Sequence, residues 1–481
     1  ARTVTVSTDA GTEQISYDAL ILSPGALAIR PPLPGIDSPR VHTLRTVEDA
    51  TTLRGLVTAG ARRAVVLGGG FIGIEAAEAL RLQGLETSVV ELSPHVLPPF
   101  ESELAHLITE ELTGLGIAVH DGVGAEAIEP GVGHDTVVLA DGTRIEADLI
   151  VLSVGVRPDT EVFGAAGITL ERGAIVVDDH GRTSAPQVWA VGDAVLSTCA
   201  VTGIRRPFAL AGPANRAGRL IADDIFTPEI ARPMPRPLGT AIVRIGELTA
   251  ASTGVNKATL QAAGIAHHTL HLHPNQHAGY FPGAAQMHLI VHFREGDGAL
   301  LGAQAVGPDG VDKRIDVLAT ALRAGMAIDD LIDLDLAYSP PYGMAKDPVN
   351  LAGMEGENVR NGTIKLWYAE DVDDVLANAL VLDTRSRSEF ASGHLPGALN
   401  IPHTELRERL EEVQDAAAGR PTKIMCASGM RSYIAYRVLA QHGFDASTLS
   451  GGILTMRAAL GDRAVTLLQI DPELEPELER V

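Results

Sequence analysis

The chain has 481 residues, enough for about three domains. It carries 38 basic and 61 acidic side chains, and the resulting net charge of −23 repels phosphate backbones and anionic lipid, so we predict no nucleic-acid and no membrane partner. No apolar stretch reaches the roughly 18 residues of a membrane-spanning helix, no signal segment opens the sequence, and two cysteines are too few for a disulfide framework, so we predict a cytoplasmic protein.

The first 26 residues predict a hairpin followed by a short buried strand. The strand lies in the run YDALILSPGA, which spans Tyr17–Ala26. Because the sequence opens on Ala1 with elements that belong inside a domain, we expect that the N-terminus is truncated.

Residues 63–92 have the spacing of a βαβ dinucleotide site. Its parts are, in order, a strand over Ala64–Leu67, the glycines Gly68, Gly70 and Gly73 in G-x-G-x-x-G order, a helix through Leu82, a strand over Thr87–Val90 and the terminal acid Glu91. The glycines permit a tight turn, close approach of a pyrophosphate and close packing of helix on strand. A carboxylate at position 91 binds ribose hydroxyls and repels a 2′-phosphate, so we predict NADH rather than NADPH. The alternative is a glycine-rich turn without a ligand.

A second strand-and-turn pattern lies at residues 183–193, TSAPQVWAVGD. A strand over Val188–Val191 leads to Gly192 and Asp193 at a predicted helix start. The carboxylate of Asp193 can bind a polyol hydroxyl, and Gly192 admits a ligand close to the backbone. The residues leave an N-cap aspartate open as the alternative.

Together these segments resemble the flavin-dependent pyridine nucleotide–disulfide oxidoreductases, over residues 1–362. The resemblance implies that an NADH domain interrupts an FAD domain and that Asp193 binds the flavin ribityl chain. It also implies that Phe71 gates the nicotinamide pocket, that Glu75 lies beside the flavin and that Gly155, in SVGVRP, lies against the nicotinamide dinucleotide. The residues alone equally allow Phe71 in a core and Glu75 on a helix face.

The sequence also departs from this family. Members begin with a G-x-G-x-x-G of their own for the FAD diphosphate and then carry a redox-active cysteine, and neither precedes Tyr17. We therefore expect an incomplete FAD domain with exposed strand edges. Cys199 does not replace the missing cysteine, because it follows the segment that resembles the flavin-ribityl motif, and we interpret it as a small buried apolar residue.

From about Pro237 the pattern changes to strands followed by the helix VDKRIDVLATALRAG, which resembles the family's interface domain and implies a homodimer. The pieces HAGYFPGA, with Tyr280, and AYSPPYGMAKDPVN, with Tyr338, resemble the coenzyme A disulfide reductase and NADH oxidase branch. This implies a coenzyme-A-type disulfide or persulfide substrate and tyrosine hydroxyls that donate to a leaving thiolate. The usual tyrosine pKa of about 10 makes them weak acids at neutral pH, and aromatic packing at a subunit interface is the alternative.

Beyond residue 370 the sequence predicts a further α/β domain. One strand ends near Asp383 and Arg385, and another delivers Cys426 into the loop CASGMR at the start of a helix. The loop N–H groups, the helix dipole and Arg431 would stabilise a thiolate or persulfide anion, so we predict that Cys426 is nucleophilic. A buried structural cysteine is the alternative.

Residues 370–463 resemble a rhodanese domain. The resemblance implies that Asp383 and Arg385 support the site, as do Gly429 and Ser432 of the loop and the helix behind it. The six-residue loop has the length found in sulfurtransferases, whereas related phosphatases use a longer one. We interpret the acidic segment 471–481 as a solvated end.

The sequence thus predicts an α/β protein with a split FAD domain, an inserted NAD(P) Rossmann-like domain, an α+β dimerisation domain and a C-terminal α/β rhodanese domain. The predicted bounds are 1–50 and 176–235 for the FAD domain, 51–175 for the NADH domain, 236–365 for the interface domain and 370–465 for the rhodanese domain.

The resemblances imply cofactors FAD and NADH, coenzyme A as a further ligand, and no metal. They imply NADH-driven reduction of a coenzyme A disulfide, persulfide or polysulfide, with sulfur relayed by Cys426. Two alternatives stay open: an NADH oxidase or peroxidase, and a rhodanese sulfurtransferase with an inactive, truncated reductase portion.

Overall fold

The structure is a computed structural model that describes residues 2–470. The segment 471–481, interpreted above as a solvated end, lies outside the described residues. Backbone contacts divide the chain into two compact units, one made of residues up to 90 together with 124–241, the other of residues 91–123 together with those from 242 onward.

The strands are, in chain order, β1 (Thr3–Thr8), β2 (Gly11–Ser16), β3 (Leu20–Leu22), β4 (Ala26–Ala28), β5 (Val41–Thr43), β6 (Arg63–Leu67), β7 (Glu86–Val90), β8 (Ile117–His120), β9 (Ala125–Glu129), β10 (Asp135–Leu139), β11 (Arg144–Ala147), β12 (Leu149–Leu152), β13 (Val156–Pro158), β14 (Leu170–Glu171), β15 (Ala174–Ile175), β16 (Val188–Ala190), β17 (Leu196–Thr198), β18 (Arg205–Pro207), β19 (Ala241–Ile245), β20 (Leu248–Gly254), β21 (His267–Leu272), β22 (His288–Arg294), β23 (Leu300–Gly307), β24 (Leu366–Trp367), β25 (Leu380–Asp383), β26 (Leu399–Asn400), β27 (Thr422–Met425) and β28 (Ala446–Leu449). The α-helices are α1 (Val47–Thr58), α2 (Phe71–Leu82), α3 (Ser102–Gly114), α4 (Glu161–Ala165), α5 (Ala211–Phe226), α6 (Lys257–Ala262), α7 (Val311–Ala324), α8 (Pro348–Arg360), α9 (Val372–Asn378), α10 (Arg387–Ala391), α11 (Leu410–Ala417), α12 (Met430–Gln441), α13 (Gly452–Leu460) and α14 (Asp462–Leu467).

The first unit contains the predicted βαβ arrangement. Strands β5, β12, β6 and β7 lie side by side in that order and pair in parallel. The side chains of β12 are all buried, and those of β6 are buried after its first residue, as is typical of parallel strands covered on both faces. Helix α2 connects β6 to β7 and ends at Leu82 as predicted.

A second parallel pair in this unit joins β3 and β16, whose residues contribute to one small hydrophobic core. The predicted helix start at Asp193 is wrong. Gly192 has a left-handed backbone with φ +86°, the N–H of Val195 closes a single turn on the Gly192 carbonyl, and the chain continues into β17. A Gly-Asp pair suits such a turn as well as a helix cap, and the next helix is α5.

In the second unit, β19, β20, β23, β22 and β21 form a sheet in that order, and α7 packs on β20 and β23. All eight residues of β23 are buried. Helix α7 occupies the predicted helical segment and ends at Gly325, whose φ of +73° gives the left-handed turn common after a helix.

The second unit also contains a parallel sheet with the order β24, β28, β27, β25 and β26. Two hydrophobic cores, one including residues of α11 and α12 and the other residues of α9 and α13, pack against it. Cys426 comes directly after β27, the central strand, so it lies at the carboxyl edge of the sheet.

None of the helices between residues 2 and 470 combines the length and apolar character that a membrane crossing needs.

Helix α8 carries a carboxyl group, Glu355, whose pKa burial raises to about 7. Because this pKa is higher than the 4.5 of a glutamate in the unfolded chain, the folded chain binds the carboxyl proton more tightly than the unfolded chain does. Protonation of Glu355 therefore adds its full contribution to the free energy of unfolding below about pH 4.5, and this contribution is lost as the pH rises through about 7. We expect Glu355→Gln to exceed the parent in free energy of unfolding by about 1–2 kcal/mol near pH 8, and to match it near pH 4.

Urea unfolding at the two pH values checks this expectation. Glu357→Gln, at an exposed position of the same helix, is the control that should show no such pH-dependent gain. If Glu355→Gln changed the free energy of unfolding equally at both pH values, the raised pKa of Glu355 would be contradicted.

Candidate functional site

The glycine-rich turn between β6 and α2 forms a cradle that side chains would fill. A β-carbon at Gly73 would lie 1.9 Å from the Gly68 carbonyl oxygen, and one at Gly68, where φ is +110°, would lie 2.3 Å from the Ser153 oxygen. By contrast, a β-carbon at Gly70 would meet no atom within 4 Å. Gly70 is the N-cap residue of α2 and makes no side-chain capping hydrogen bond. The turn therefore fits a dinucleotide diphosphate at the helix N-terminus.

The other residues that the sequence predicts for this region, at the nicotinamide dinucleotide or beside the flavin, lie on or next to the same strands and helix. Phe71 is half-buried at the first position of α2, and Glu75 is exposed one turn later. Gly155 follows β12 with φ +110°, and its carbonyl accepts the Ile29 N–H at 3.0 Å. Glu91 comes directly after β7; it is buried, and its carboxylate accepts the N–H of Ser93 at 2.7 Å. The assigned roles of these side chains stay predictions.

The carboxyl edge of the β3 and β16 pair brings three segments together. A β-carbon at Gly192 would lie 3.8 Å from the Ala214 β-carbon and 3.9 Å from the Ser23 hydroxyl. Asp193, next in the chain, is half-buried. A carboxylate, a hydroxyl and a glycine at one edge suit a polyol, so these residues fit the ribityl chain of FAD.

The loop after β27 holds Cys426 in a fixed backbone frame. The thiol is 1% exposed, and the Gly429 N–H donates to its Sγ at 3.1 Å. The Cys426 carbonyl accepts the Ile453 N–H at 2.9 Å from the start of α13. A β-carbon at Gly452 would lie 2.5 Å from the Ala427 oxygen and 2.6 Å from the Cys426 oxygen. Only glycine therefore allows α13 to begin this close to the loop.

Two ion pairs surround this loop. Arg431 binds Glu389 through two hydrogen bonds of 2.6 and 2.7 Å, and the Arg431 guanidinium lowers the pKa of the Glu389 carboxyl to about 2. Arg385 binds Asp383 at 2.6 Å, with both side chains buried. Ser432 donates its hydroxyl to the Gly429 carbonyl at 2.9 Å. The predicted loop residues and supporting charges thus lie together.

Sequence reasoning missed the role of Glu389. A local signal existed, because Ser386 and Glu389 have the S-x-x-E spacing of a capping box and form one at the start of α10. That signal predicts a helix start, but it does not reveal the partner Arg431.

The two predicted tyrosines also lie together. The hydroxyls of Tyr280 and Tyr338 are 3.5 Å apart, and the residues are 77% and 49% exposed. The hydrogen bond to Tyr338 raises the pKa of Tyr280. The Tyr280 hydroxyl therefore stays protonated at neutral pH and acts as a hydrogen-bond donor rather than as a source of a free phenolate.

A buried arginine that sequence reasoning also missed holds both tyrosine loops. Arg314 of α7 is 1% exposed; it donates to the Gln276 carbonyl at 2.7 Å and to the Asp347 carboxylate at 2.9 Å. The loops are joined further by the Ala278 N–H, which donates to the Gly343 carbonyl at 2.9 Å.

We expect Arg314→Lys to lower the free energy of unfolding by about 1–2 kcal/mol, because a lysine ammonium cannot reproduce this planar set of hydrogen bonds. Thermal unfolding measures the effect. Arg294→Lys, which alters an exposed ion pair with Asp297 in the same domain, should change stability by less than about 0.5 kcal/mol. Equal effects of the two changes would contradict the role of Arg314.

Comparison with known families matches three segments of the chain. Residues 1–218 match the family described as pyridine nucleotide-disulphide oxidoreductase, residues 240–348 match its dimerisation domain, and residues 367–459 match the rhodanese-like domain.

Two curated relatives each align with nearly three quarters of the chain. The coenzyme A disulfide reductase of Staphylococcus haemolyticus is 32% identical over 364 residues, 74% of this chain and 80% of that protein. The NADH oxidase of Methanocaldococcus jannaschii is 31% identical over 351 residues, 72% of this chain and 77% of that protein.

Two solved structures resemble most of the chain. The reduced CoADR-RHD of Bacillus anthracis has a TM-score of 0.93 and 36% identity, and the match covers 96% of this chain and 83% of that one. The NAD-dependent persulfide reductase of A. fulgidus has a TM-score of 0.87 and 35% identity, with coverage of 94% and 83%.

Proposed function

The chain belongs to the pyridine nucleotide-disulphide oxidoreductase family and carries a rhodanese-like domain, and from this premise we propose that it reduces a coenzyme A disulfide, persulfide or polysulfide with NADH. In this proposal Cys426 relays sulfane sulfur as a persulfide. The observation that carries the proposal is that one chain combines a dinucleotide cradle with a cysteine loop next to two ion pairs. The likeness to a persulfide reductase supports a persulfide as acceptor.

The cofactors are FAD and NADH. The turn at Gly68–Gly73 binds the NADH diphosphate at the start of α2, and the carboxylate of Glu91 takes the ribose hydroxyls and disfavours NADPH. Gly192 and Asp193 would hold the ribityl chain of FAD. When bound, FAD supplies hydride acceptance from NADH and two-electron transfer to a sulfur acceptor.

The sulfur chemistry of the rhodanese-like domain belongs to Cys426. As a thiolate it attacks the outer sulfur of a persulfide, with the Gly429 N–H donating to the sulfur and Arg431 in the same loop. The net reaction at the reductase is RSSH + NADH + H⁺ → RSH + H₂S + NAD⁺.

The dimerisation domain supports a homodimer. Within that domain, Tyr280 and Tyr338 would donate hydrogen bonds to the thiolate that leaves a coenzyme-A-type substrate. Both cysteines are free thiols, which supports a place in the reducing cytoplasm.

A second candidate is an NADH oxidase or peroxidase, which the likeness to the M. jannaschii NADH oxidase favours. Product analysis separates the two functions. In anaerobic buffer with coenzyme A persulfide, we expect one sulfide released for each NADH consumed. NADH consumption only in air, with peroxide or water as product, would overturn the reductase in favour of the oxidase.

A further inference from the structure

Strand β21 is the last strand of its sheet, and side chains of the rhodanese-like domain bind its outer edge. The Tyr368 hydroxyl donates to the Thr269 carbonyl at 3.1 Å, and the His271 N–H donates to the Ser450 hydroxyl at 3.2 Å. These bonds satisfy backbone groups that an edge strand otherwise presents to water or to another strand. The rhodanese-like domain is therefore attached directly to the backbone of the dimerisation domain.

The side chain of His271 joins a third element to this edge. It is 7% exposed; its Nε2 lies 2.7 Å from the Glu103 carboxylate of α3, and its Nδ1 lies 2.8 Å from the Ser450 hydroxyl. Burial alone would raise the pKa of Glu103, but the hydrogen bond from His271 lowers it to about 2. Since this carboxylate is ionised at neutral pH, Nε2 carries a proton and donates it to Glu103, and Nδ1 is left for Ser450.

The turn that Ser450 opens lies between His271 and the loop of Cys426. A β-carbon at Gly451, where φ is +68°, would lie 2.7 Å from the His271 β-carbon. A β-carbon at Gly452 would lie 2.6 Å from the Cys426 oxygen. A side chain at either glycine would therefore force the two structures apart, and the turn transmits the position of His271 to the backbone of Cys426.

A second histidine holds the same domain independently. The Nε2 of His273, which follows β21, lies 2.8 Å from the Thr455 hydroxyl in the first turn of α13. Together with the bond from Tyr368, this contact keeps the rhodanese-like domain attached when His271 is changed. Variants of His271 therefore report on the position of the turn rather than on loss of the domain.

We propose that His271 is a positioning residue for Cys426: it holds Ser450 from the dimerisation domain, and so fixes the turn against which the Cys426 loop rests. The inference rests on the proposed sulfur relay and adds to it a residue from outside the rhodanese-like domain. The attacking sulfur must lie in line with the S–S bond of the donor, and a displacement of about 1 Å can slow such a reaction by about a hundredfold. His271 acts through Ser450 and the turn, not on the sulfur.

Two substitutions separate the roles of the two ring nitrogens. Asparagine places an amide where Nδ1 lies and keeps a partner for Ser450, whereas glutamine places it where Nε2 lies and keeps a partner for Glu103. We expect His271→Asn to retain the kcat for sulfur transfer from pantetheine persulfide to cyanide within about threefold. His271→Gln should lower this kcat by about tenfold and leave the KM for the persulfide unchanged.

Urea unfolding should rank the same two variants in the opposite order. His271→Asn leaves the Glu103 carboxylate without its hydrogen-bond donor, so it should unfold at a lower urea concentration than His271→Gln. A purely structural role for His271 would instead make the less stable variant the slower one.

Ser450→Ala removes the same contact from the other side. It should lower the kcat by about tenfold, and His271→Gln added to it should cause no further loss, because both changes break one contact. His268→Ala is the control, since His268 lies on the same strand but packs on Phe293, with ring centroids 5.2 Å apart. It should change the kcat by less than about twofold.

A kcat for His271→Asn no higher than that of His271→Gln, or an unchanged kcat in Ser450→Ala, would overturn the inference while leaving the sulfur relay intact. Absence of sulfur transfer in the parent chain would overturn both.

Discussion

Replacing Cys426 by serine is expected to reduce sulfur transfer to less than about one-thousandth of the parent rate. A serine hydroxyl does not form a persulfide, whereas the Cys426 sulfur can carry the sulfane sulfur. The Gly429 N–H donates to this sulfur, and Arg431 lies in the same loop. Transfer of sulfur from pantetheine persulfide to cyanide measures the loss.

Two controls separate this effect from general damage. Cys199 is also buried and free, and Cys199→Ala should retain sulfur transfer because that thiol lies outside the rhodanese-like domain. NADH oxidation with a coenzyme A disulfide should survive Cys426→Ser, because that acceptor carries no sulfane sulfur. Loss of both activities in Cys426→Ser would contradict the view that the chain has two separable sites.

The second large effect is expected at Gly73. A methyl group there would lie 1.9 Å from the Gly68 carbonyl oxygen and 3.2 Å from the Ser153 hydroxyl. Since the first contact is with backbone, α2 must move away from β6, and we expect Gly73→Ala to lower the free energy of unfolding by about 3 kcal/mol or more. Urea unfolding measures this change.

The neighbouring Gly70 is the matched position. A β-carbon there meets nothing within 4 Å, so Gly70→Ala should fold normally but raise the KM for NADH by about tenfold or more, because the methyl group enters the space of the pyrophosphate. Gly55→Ala on α1, also without a close contact, should stabilise by up to about 1 kcal/mol and leave the KM unchanged. An equal loss of stability at Gly70 and Gly73 would contradict the distinct roles of the two glycines.

Local elements were predictable because their signals are local. The βαβ unit follows from a short apolar run, three glycines and a helical period, and the structure differs from the expected strand starts by one residue, at Arg63 and Glu86. The turn at Gly192 was mistaken for a helix start because glycine and aspartate favour both structures, and only the following strand decides between them.

Pairs distant in sequence were not predictable in the same way. Arg431 and Glu389 are 42 positions apart, and Arg314 and Asp347 are 33 apart. Arg314 has the sequence pattern of an ordinary surface arginine on an amphipathic helix. Its burial depends on a carboxylate and a loop carbonyl that only the folded chain brings to it.

The visible spectrum during anaerobic addition of NADH, and then of coenzyme A persulfide, tests the central claim most directly. The account predicts flavin bands that bleach with NADH and return with the persulfide, while sulfide is released. Absence of flavin bands, or bleached bands that return only when oxygen is admitted, would contradict an NADH-dependent persulfide reductase.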